Sequence, residues 1–140
     1  MGGCNLYDSE RGKIKFRDRA RQIIDFSGIR YGNITPTDID GLIEYHDKVV
    51  VFLEYKYDDN KLPYGQQLAL ERLANNCHDA GKKSTVIVAE HYVHDCNNDI
   101  CAADAIVRDF YYDGKWYHDG KAKVKEKIDS FIKFVDEDPF

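Results

Sequence analysis

The sequence predicts one α/β domain, spanning residues 1–140, with a central mixed β-sheet flanked by helices. A continuous apolar run over residues 49–53, VVVFL, is typical of a strand that is covered on both faces. A helical pattern over residues 64–79 and a second apolar run over residues 84–90 follow it. A strand, a helix and a strand of these lengths favour parallel strands joined by a right-handed crossover, which packs helices against the sheet.

The composition is typical of a soluble globular protein, since 43% of the residues are hydrophobic and 32% are charged. No run reaches the roughly 18 apolar residues of a membrane-spanning helix, and the N-terminus lacks the apolar region of a secretory signal. The four cysteines have no spacing typical of a disulfide framework, so we expect a cytoplasmic protein without a membrane partner. The net charge of −5 excludes a generally basic surface, but nucleic-acid binding depends on the local distribution of charge.

Positive charge is concentrated near the N-terminus. A rough apolar stripe predicts a helix over residues 13–26 that ends near Gly28. Its basic side chains could contact nucleic-acid phosphates, because neutralising phosphates releases counterions and favours binding. The candidate residues are Lys13, Lys15, Arg17, Arg19 and Arg21. A solvated basic helix face is the alternative explanation.

Two extended runs, residues 37–45 and 49–57, predict a β-hairpin. Both runs are rich in β-branched and aromatic residues, and the polar break at residues 46–48 has the length of a hairpin loop. We expect Tyr45 to pair with Val49 as the last pair before this loop. A shift of one residue would move every side chain to the opposite face, so the predicted register depends on the loop length.

This register puts Asp40 opposite Glu54 and Asp38 opposite Lys56, with their side chains on a common face. Carboxylates that lie this close repel one another unless a cation lies between them, and their oxygens suit a hard ion such as Mg²⁺ or Mn²⁺. A solvated hairpin face with simple ion pairs, for instance Asp38 with Lys56, is the alternative. The apolar strand before Glu54 favours a functional site, because charges at the end of a buried strand are costly.

The helix over residues 64–79 begins after Pro63 and ends before Gly81. Its buried stripe is formed by Leu70, Leu73, Ala74 and Cys77. Because residues four apart share one face of a helix, Gln66 is predicted to face inward in the first turn. A polar residue that bonds to the backbone at a helix start is the alternative role.

In this stretch an aspartate is followed, after thirteen residues, by the tripeptide Glu-Tyr-Lys on a strand and then by a helix with an inward glutamine. The pattern resembles the PD-(D/E)XK nuclease superfamily, which includes type II restriction enzymes and archaeal Holliday-junction resolvases. The residues that carry the resemblance are Asp40, Glu54, Lys56 and Gln66. It covers roughly residues 14–91. The proline–aspartate half departs from the family's pattern, because one residue separates Pro36 from Asp38.

The resemblance implies a restriction-endonuclease-like fold with an αβββαβ core and a metal-dependent nuclease that hydrolyses phosphodiester bonds, with DNA as the expected substrate. Asp40 and Glu54, with Asp38 as a further candidate, would bind Mg²⁺ or Mn²⁺. Lys56 would position the nucleophile or stabilise the transition state, and Gln66 would orient water or substrate. The alternative is a catalytically silent module of the same fold that binds DNA or a protein partner. A homodimer would suit cleavage of both strands of a duplex.

The remaining sequence predicts supporting elements. Residues 105–117, with the turn signal Asp113-Gly114, predict a second hairpin, and residues 121–135 predict an amphipathic closing helix. Possible zinc ligands lie before this hairpin, at His91, His94, Cys96 and Cys101. Their spacing matches no zinc finger or ribbon, so a polar loop is the favoured interpretation and a zinc site the alternative.

Overall fold

The computed structural model of the chain describes residues 12–20, 22–95 and 98–136. These residues form two compact units that divide between Asp38 and Ile39. The described residues of the unit from Ile39 onward form five strands, two α-helices and a short 3-10 helix (Ala102–Asp104). The strands and α-helices are β1 (Gly41–Tyr45), β2 (Val49–Tyr57), α2 (Tyr64–Asp79), β3 (Lys83–His91), β4 (Ile106–Tyr112), β5 (Lys115–His118) and α3 (Val124–Asp136). The preceding unit contains α1 (Arg17–Ala20).

The five strands form one mixed sheet in the order β1-β2-β3-β4-β5. Strands β2 and β3 are parallel, whereas the other neighbouring strands are antiparallel. The predicted mixed sheet flanked by helices is therefore confirmed, and so is the parallel crossover through α2. In the described part of the chain two strands precede α2, whereas an αβββαβ core has three, so this finer arrangement is not confirmed.

Helices α2 and α3 cover opposite faces of the sheet. Even-numbered residues of β2 pack under α2, whereas odd-numbered residues pack against α3, as the period of a strand requires. The α2 side buries Val50, Phe52, Leu70, Ala74, Val86 and Tyr111. The α3 side buries Val49, Val51, Ile87, Val107, Val124, Ile128 and Phe131, among others. Because both faces of β2 are covered over residues 49–53, this part of the strand is continuously apolar rather than alternating.

The predicted hairpin register is correct, since the pairs run from Tyr45 opposite Val49 to Gly41 opposite Leu53. Strand β1 is shorter than expected, because it begins at Gly41 rather than at residue 37. Just before this strand the Asp40 side chain accepts the backbone N–H of Tyr55, and it thereby takes a donor that a longer β1 would pair. The Leu53 side chain packs over Gly41, because a Cβ at Gly41 would lie 3.1 Å from Leu53 Cδ1.

The predicted helix over residues 13–26 is wrong in its extent, because α1 consists of one turn. Large apolar residues on either side of this turn are exposed, including Phe16, Ile23 and Ile24. A helix in water is marginal below about 12–15 residues unless an apolar face is buried against other elements. These apolar side chains are not buried, so the stripe that suggested the helix does not stabilise one.

The predictions from residue 64 onward agree closely with the structure. Helix α2 has the predicted ends, and Leu70 and Ala74 of its predicted stripe are buried, but Leu73 at the edge of this stripe is exposed. Helix α3 begins at Val124 rather than at residue 121, and it buries Val124, Ile128 and Phe131. Strands β4 and β5 form the second hairpin, and Asp113 and Gly114 in its turn have the positive φ angles that such turns require. Within residues 12–20, 22–95 and 98–136, no helix is long and apolar enough to cross a bilayer.

Candidate functional site

Glu54 and Lys56 lie in the second half of β2, on the face that packs under α2. They continue the line of Val50 and Phe52, and the Glu54 side chain is only 3% exposed. Lys56 is half-buried, with its Nζ atom 3.5 Å from Glu54 Oε1. Burying a carboxylate is costly unless a positive charge or a hydrogen bond compensates it, and Lys56 supplies the charge.

Gln66 joins this pair from the first turn of α2. Its side chain is buried, and Gln66 Oε1 accepts a hydrogen bond of 3.3 Å from Lys56 Nζ. The neighbouring Gln67 points elsewhere, because its Nε2 donates to Glu71 Oε2 at 2.9 Å. The structure thus brings together three of the predicted catalytic side chains, Glu54, Lys56 and Gln66.

Asp40 lies just before β1, next to the same half of β2. Its Oδ2 atom accepts the backbone N–H of Tyr55 at 2.7 Å. Burial, assisted by the negative charge of Asp40, raises the pKa of the Tyr55 hydroxyl to about 12. That hydroxyl donates to the carbonyl of Ala102 at 3.1 Å. Asp40 therefore has a defined position at the end of the hairpin, although it is exposed to solvent.

Asp38 belongs to the unit that precedes Ile39. The hairpin pairs end at Gly41, so the register does not extend to Asp38. Its pairing with Lys56 and its role as a metal ligand stay predictions.

Two residues that the sequence analysis missed, Glu90 and Arg108, lie beside this cluster. Glu90 is the register partner of Lys56 on β3, and Arg108 Nε contacts Glu90 Oε2 at 3.0 Å. The guanidinium also donates to the carbonyls of Asn60 and Asp58, at 2.7 Å each. The position of Glu90 follows from the parallel pairing of two predicted strands. No sequence pattern predicts the position of the Arg108 side chain, because a register shift between β3 and β4 determines which way it points.

Two of the residues considered for zinc, His91 and His94, lie next to Tyr57, on the face of β2 opposite to that of Glu54 and Lys56. The rings of His91 and His94 both pack against Tyr57, whose hydroxyl hydrogen-bonds to His94 Nδ1. Cys101 is disulfide-bonded, which differs from the free thiols expected from the cysteine spacing. A disulfide sulfur is not the thiolate that zinc requires. Cys96 lies outside the described residues.

Among residues 12–20, 22–95 and 98–136, no group of three or more His, Cys, Asp or Glu side chains could hold a metal ion. A set of two carboxylates, Asp40 and Glu54, remains at the end of the hairpin. Mg²⁺ keeps several waters and commonly uses one or two carboxylates together with substrate phosphates. The two carboxylates therefore fit Mg²⁺ or Mn²⁺ with phosphate as a further ligand, and they do not form a complete protein cage.

The predicted nucleic-acid contacts lie in the unit before Ile39. The side chains of Lys13, Lys15 and Arg19 are exposed, and the backbone of Arg17 begins α1. Arg21 lies outside the described residues. Exposure keeps these charges available to a polyanion, and their role in binding stays a prediction.

No protein-family model, no curated protein and no solved structure matches this chain. The likeness to the PD-(D/E)XK superfamily therefore rests on the residues quoted above. The geometry around Lys56 provides the physical basis for a functional proposal.

Proposed function

We propose that this protein is a metal-dependent nuclease that hydrolyses phosphodiester bonds in DNA. The observation that carries the proposal is the contact of Lys56 with both Glu54 and Gln66. Glu54 and Lys56 follow the apolar part of β2, and Gln66 lies in the first turn of α2; Glu54 and Gln66 are buried and Lys56 is half-buried. Charged groups buried in this way reduce stability unless they are well compensated, so a functional role is the better explanation.

The carboxylates of Asp40 and Glu54 would hold the divalent cation. When bound, Mg²⁺ or Mn²⁺ supplies a Lewis acid that lowers the pKa of water and offsets negative charge on the reacting phosphate. The burial of Glu54 excludes bulk water from one side of the site and so strengthens its electrostatic interactions.

Lys56 would stabilise the negative charge that develops on the phosphate, or hold the attacking water. A lysine ammonium is a compact charge with three donors, and here one donor is directed at Gln66 Oε1. This hydrogen bond limits the rotamers of Lys56 and fixes the direction of its charge. Gln66 can also orient water through its amide group, which has both donors and an acceptor.

The second candidate is a catalytically silent module on the same scaffold that binds DNA or a protein partner. The observation that favours it is that Lys56 already pairs with Glu54, while Asp40 already accepts a backbone amide. A cluster that is satisfied by internal contacts can be purely structural. Calorimetric titration with Mn²⁺ separates the two functions, because the nuclease requires binding that depends on Glu54.

A panel of labelled substrates tests the proposal. Linear, nicked and branched DNA, together with RNA of the same sequence, would be incubated with wild-type protein and with Glu54→Ala, each with and without Mg²⁺ or Mn²⁺. We expect cleavage that requires both the cation and Glu54. Absence of cleavage on every substrate, or equal cleavage by Glu54→Ala, would reject the nuclease function.

A further inference from the structure

Arg108 contacts one carboxylate and two backbone carbonyls beside the Lys56 cluster. Its Nε atom lies 3.0 Å from Glu90 Oε2, and both terminal nitrogens donate to backbone carbonyls, those of Asn60 and Asp58. The side chains of Arg108 and Glu90 are 17% and 20% exposed, respectively. A planar guanidinium suits these three simultaneous contacts, because its N–H donors have fixed directions, whereas those of a lysine ammonium rotate.

A β-bulge determines where Arg108 points. The register between β3 and β4 passes from Val88 opposite Asp109 to Ala89 opposite Val107, which leaves Arg108 as the extra residue. Such an insertion redirects a side chain relative to regular strand alternation. The Arg108 carbonyl accepts the N–H of Asp119 at 2.8 Å, so the backbone of the bulge is itself held.

The two carbonyls that Arg108 contacts belong to the loop between β2 and α2. This loop connects Lys56 at the end of the strand to Gln66 in the first turn of the helix. At Asp58 the chain adopts a left-handed conformation with φ of 53°, and the Asp58 N–H donates to the carbonyl of His91 at 2.7 Å. Arg108 therefore bonds to the loop that connects Lys56 to Gln66.

Arg108 also pairs with a carboxylate that is the register neighbour of Lys56. Lys56 and Glu90 are register partners on parallel strands, so their side chains share one face about 5 Å apart. With Arg108 in place, Glu90 Oε2 pairs with the guanidinium and Glu90 Oε1 accepts the hydroxyl of Tyr92 at 3.0 Å. Lys56 contacts Glu54 and Gln66 instead.

We propose that Arg108 is a positioning residue of the Lys56 cluster. It holds the loop between β2 and α2 by two carbonyls, and it keeps the Glu90 carboxylate away from Lys56. Without Arg108, the loop loses its two charged donors, and Lys56 turns towards Glu90. The effect on catalysis rests on the proposed nuclease function, whereas the effect on the geometry of Lys56 and Gln66 does not.

The test compares wild-type protein with Arg108→Gln, Arg108→Lys and the double variant Arg108→Gln/Glu90→Gln. Lys115→Gln is the matched control, because it removes one positive charge from the same hairpin at an exposed position. Hydrogen exchange of the amides in residues 58–66 and the side-chain amide resonance of Gln66 report on geometry. Single-turnover cleavage at saturating DNA and the DNA dissociation constant report on function.

In Arg108→Gln we expect faster exchange in the loop, a shifted Gln66 resonance and a cleavage rate lowered by about a hundredfold, with little change in DNA affinity. In Arg108→Lys the loop exchange rates, the Gln66 resonance and the cleavage rate should lie between those of wild type and Arg108→Gln, because the lysine keeps a positive charge next to Glu90 but cannot bond both carbonyls. The double variant should recover part of the rate of the single variant, since the competing carboxylate is gone. Because removing Glu90 also relieves an unpaired buried charge, recovery is judged on the single-turnover rate of the folded protein at saturating DNA, which a residue that merely stabilises the fold would not change. Lys115→Gln should match wild type.

Wild-type exchange and an unchanged Gln66 resonance in Arg108→Gln would overturn the proposal, even if the protein cleaves DNA. Equal losses in the single and double variants would overturn the role of Glu90. If Arg108→Gln does not fold, Arg108→Lys decides by the same measurements, and wild-type values there would reject the proposal. If wild-type protein cleaves no substrate, the nuclease function fails, while exchange and the Gln66 resonance still test Arg108.

Discussion

Two lysine–carboxylate pairs lie near the starts of the two long helices, and they differ in what they contact. Before α3, Asp119 Oδ2 lies 2.8 Å from Lys127 Nζ, while Oδ1 accepts the N–H groups of Lys121 and Ala122 at 2.9 Å each. The hydrogen bond with Lys127, followed by that with the Ala122 amide, lowers the pKa of Asp119 to about 2. Lys127 also lies over the ring of Phe110, 4.2 Å from its centroid. The Asp119–Lys127 pair therefore holds the turn that leads into α3.

The pair at α2 has a different construction. Glu54 and Lys56 lie further apart, at 3.5 Å, and Lys56 is shared with the side chain of Gln66 from another element. Glu54 is more deeply buried than Asp119. A carboxylate that caps backbone amides contributes to stability, whereas a more deeply buried carboxylate with a looser partner is costly. We therefore expect the Asp119 pair to affect folding and the Glu54 pair to affect activity.

The largest expected effect is that of Glu54→Gln, which keeps the size of the side chain and removes its charge. Cleavage should fall by about a thousandfold, because a proposed ligand of the cation is lost. The free energy of unfolding should stay the same or rise, since a buried charge is removed. Cleavage assays and urea unfolding measure the two effects, with Asp59→Asn in the exposed loop as the control. A large loss of stability with normal cleavage would show that the Glu54 pair supports folding rather than activity.

Lys56→Ala should lower the cleavage rate by about a hundredfold at saturating DNA, because one preorganised donor is lost from the transition state. DNA affinity should change little. The measurement is single-turnover cleavage together with equilibrium binding. Lys61→Ala, which removes an exposed lysine from the same loop region, is the matched control and should behave as wild type. A rate in Lys56→Ala equal to that of Lys61→Ala would exclude a catalytic role.

Gln66→Ala should have a smaller effect, a loss of about tenfold in cleavage, because one hydrogen bond to a charged group is removed. Gln67→Ala is a close control, since it removes the same amide group one residue away, where the partner is Glu71. We expect normal cleavage by Gln67→Ala. Equal losses in both variants would mean that the start of α2, rather than the contact with Lys56, is responsible.

Asp119→Asn should cost about 1 kcal/mol of the free energy of unfolding at neutral pH and leave cleavage unchanged. Because the pKa of Asp119 is lower in the folded state than its ordinary value of 3.8, the carboxylate stabilises the fold above about pH 4. This contribution is lost as the pH falls towards 2, so the difference between variant and wild type should vanish there. Urea unfolding of both proteins between pH 2 and neutral pH measures this difference in the free energy of unfolding.

The control for this prediction is Asp129→Asn, which removes a carboxylate from an exposed ion pair with Lys125 on α3. Exposed pairs contribute roughly 0–1 kcal/mol, so its effect should be small at every pH. A pH-dependent loss of equal size in Asp129→Asn would show that the amide contacts of Asp119 are unimportant.

The sequence by itself determined most elements of the sheet unit and the register of its first hairpin. The apolar runs of β2 and β3, the ends of α2 and the turn of the second hairpin follow from local periodicity and from residues with special backbone preferences. The contact of Lys56 with Gln66 could be anticipated for the same reason, because strand alternation and helical periodicity each specify which side chains face inward.

Only the tertiary structure decided the features that depend on distant contacts. The Asp40 side chain accepts the backbone N–H of Tyr55, so β1 begins only at Gly41. The segment around α1 leaves its apolar residues exposed. A bulge in β4 directs Arg108 towards the loop after β2. Periodicity describes the preferences of a short segment, but it contains no information on whether a partner surface is available. Register irregularities and side chains that replace backbone hydrogen bonds arise from pairing between segments that are far apart in the chain.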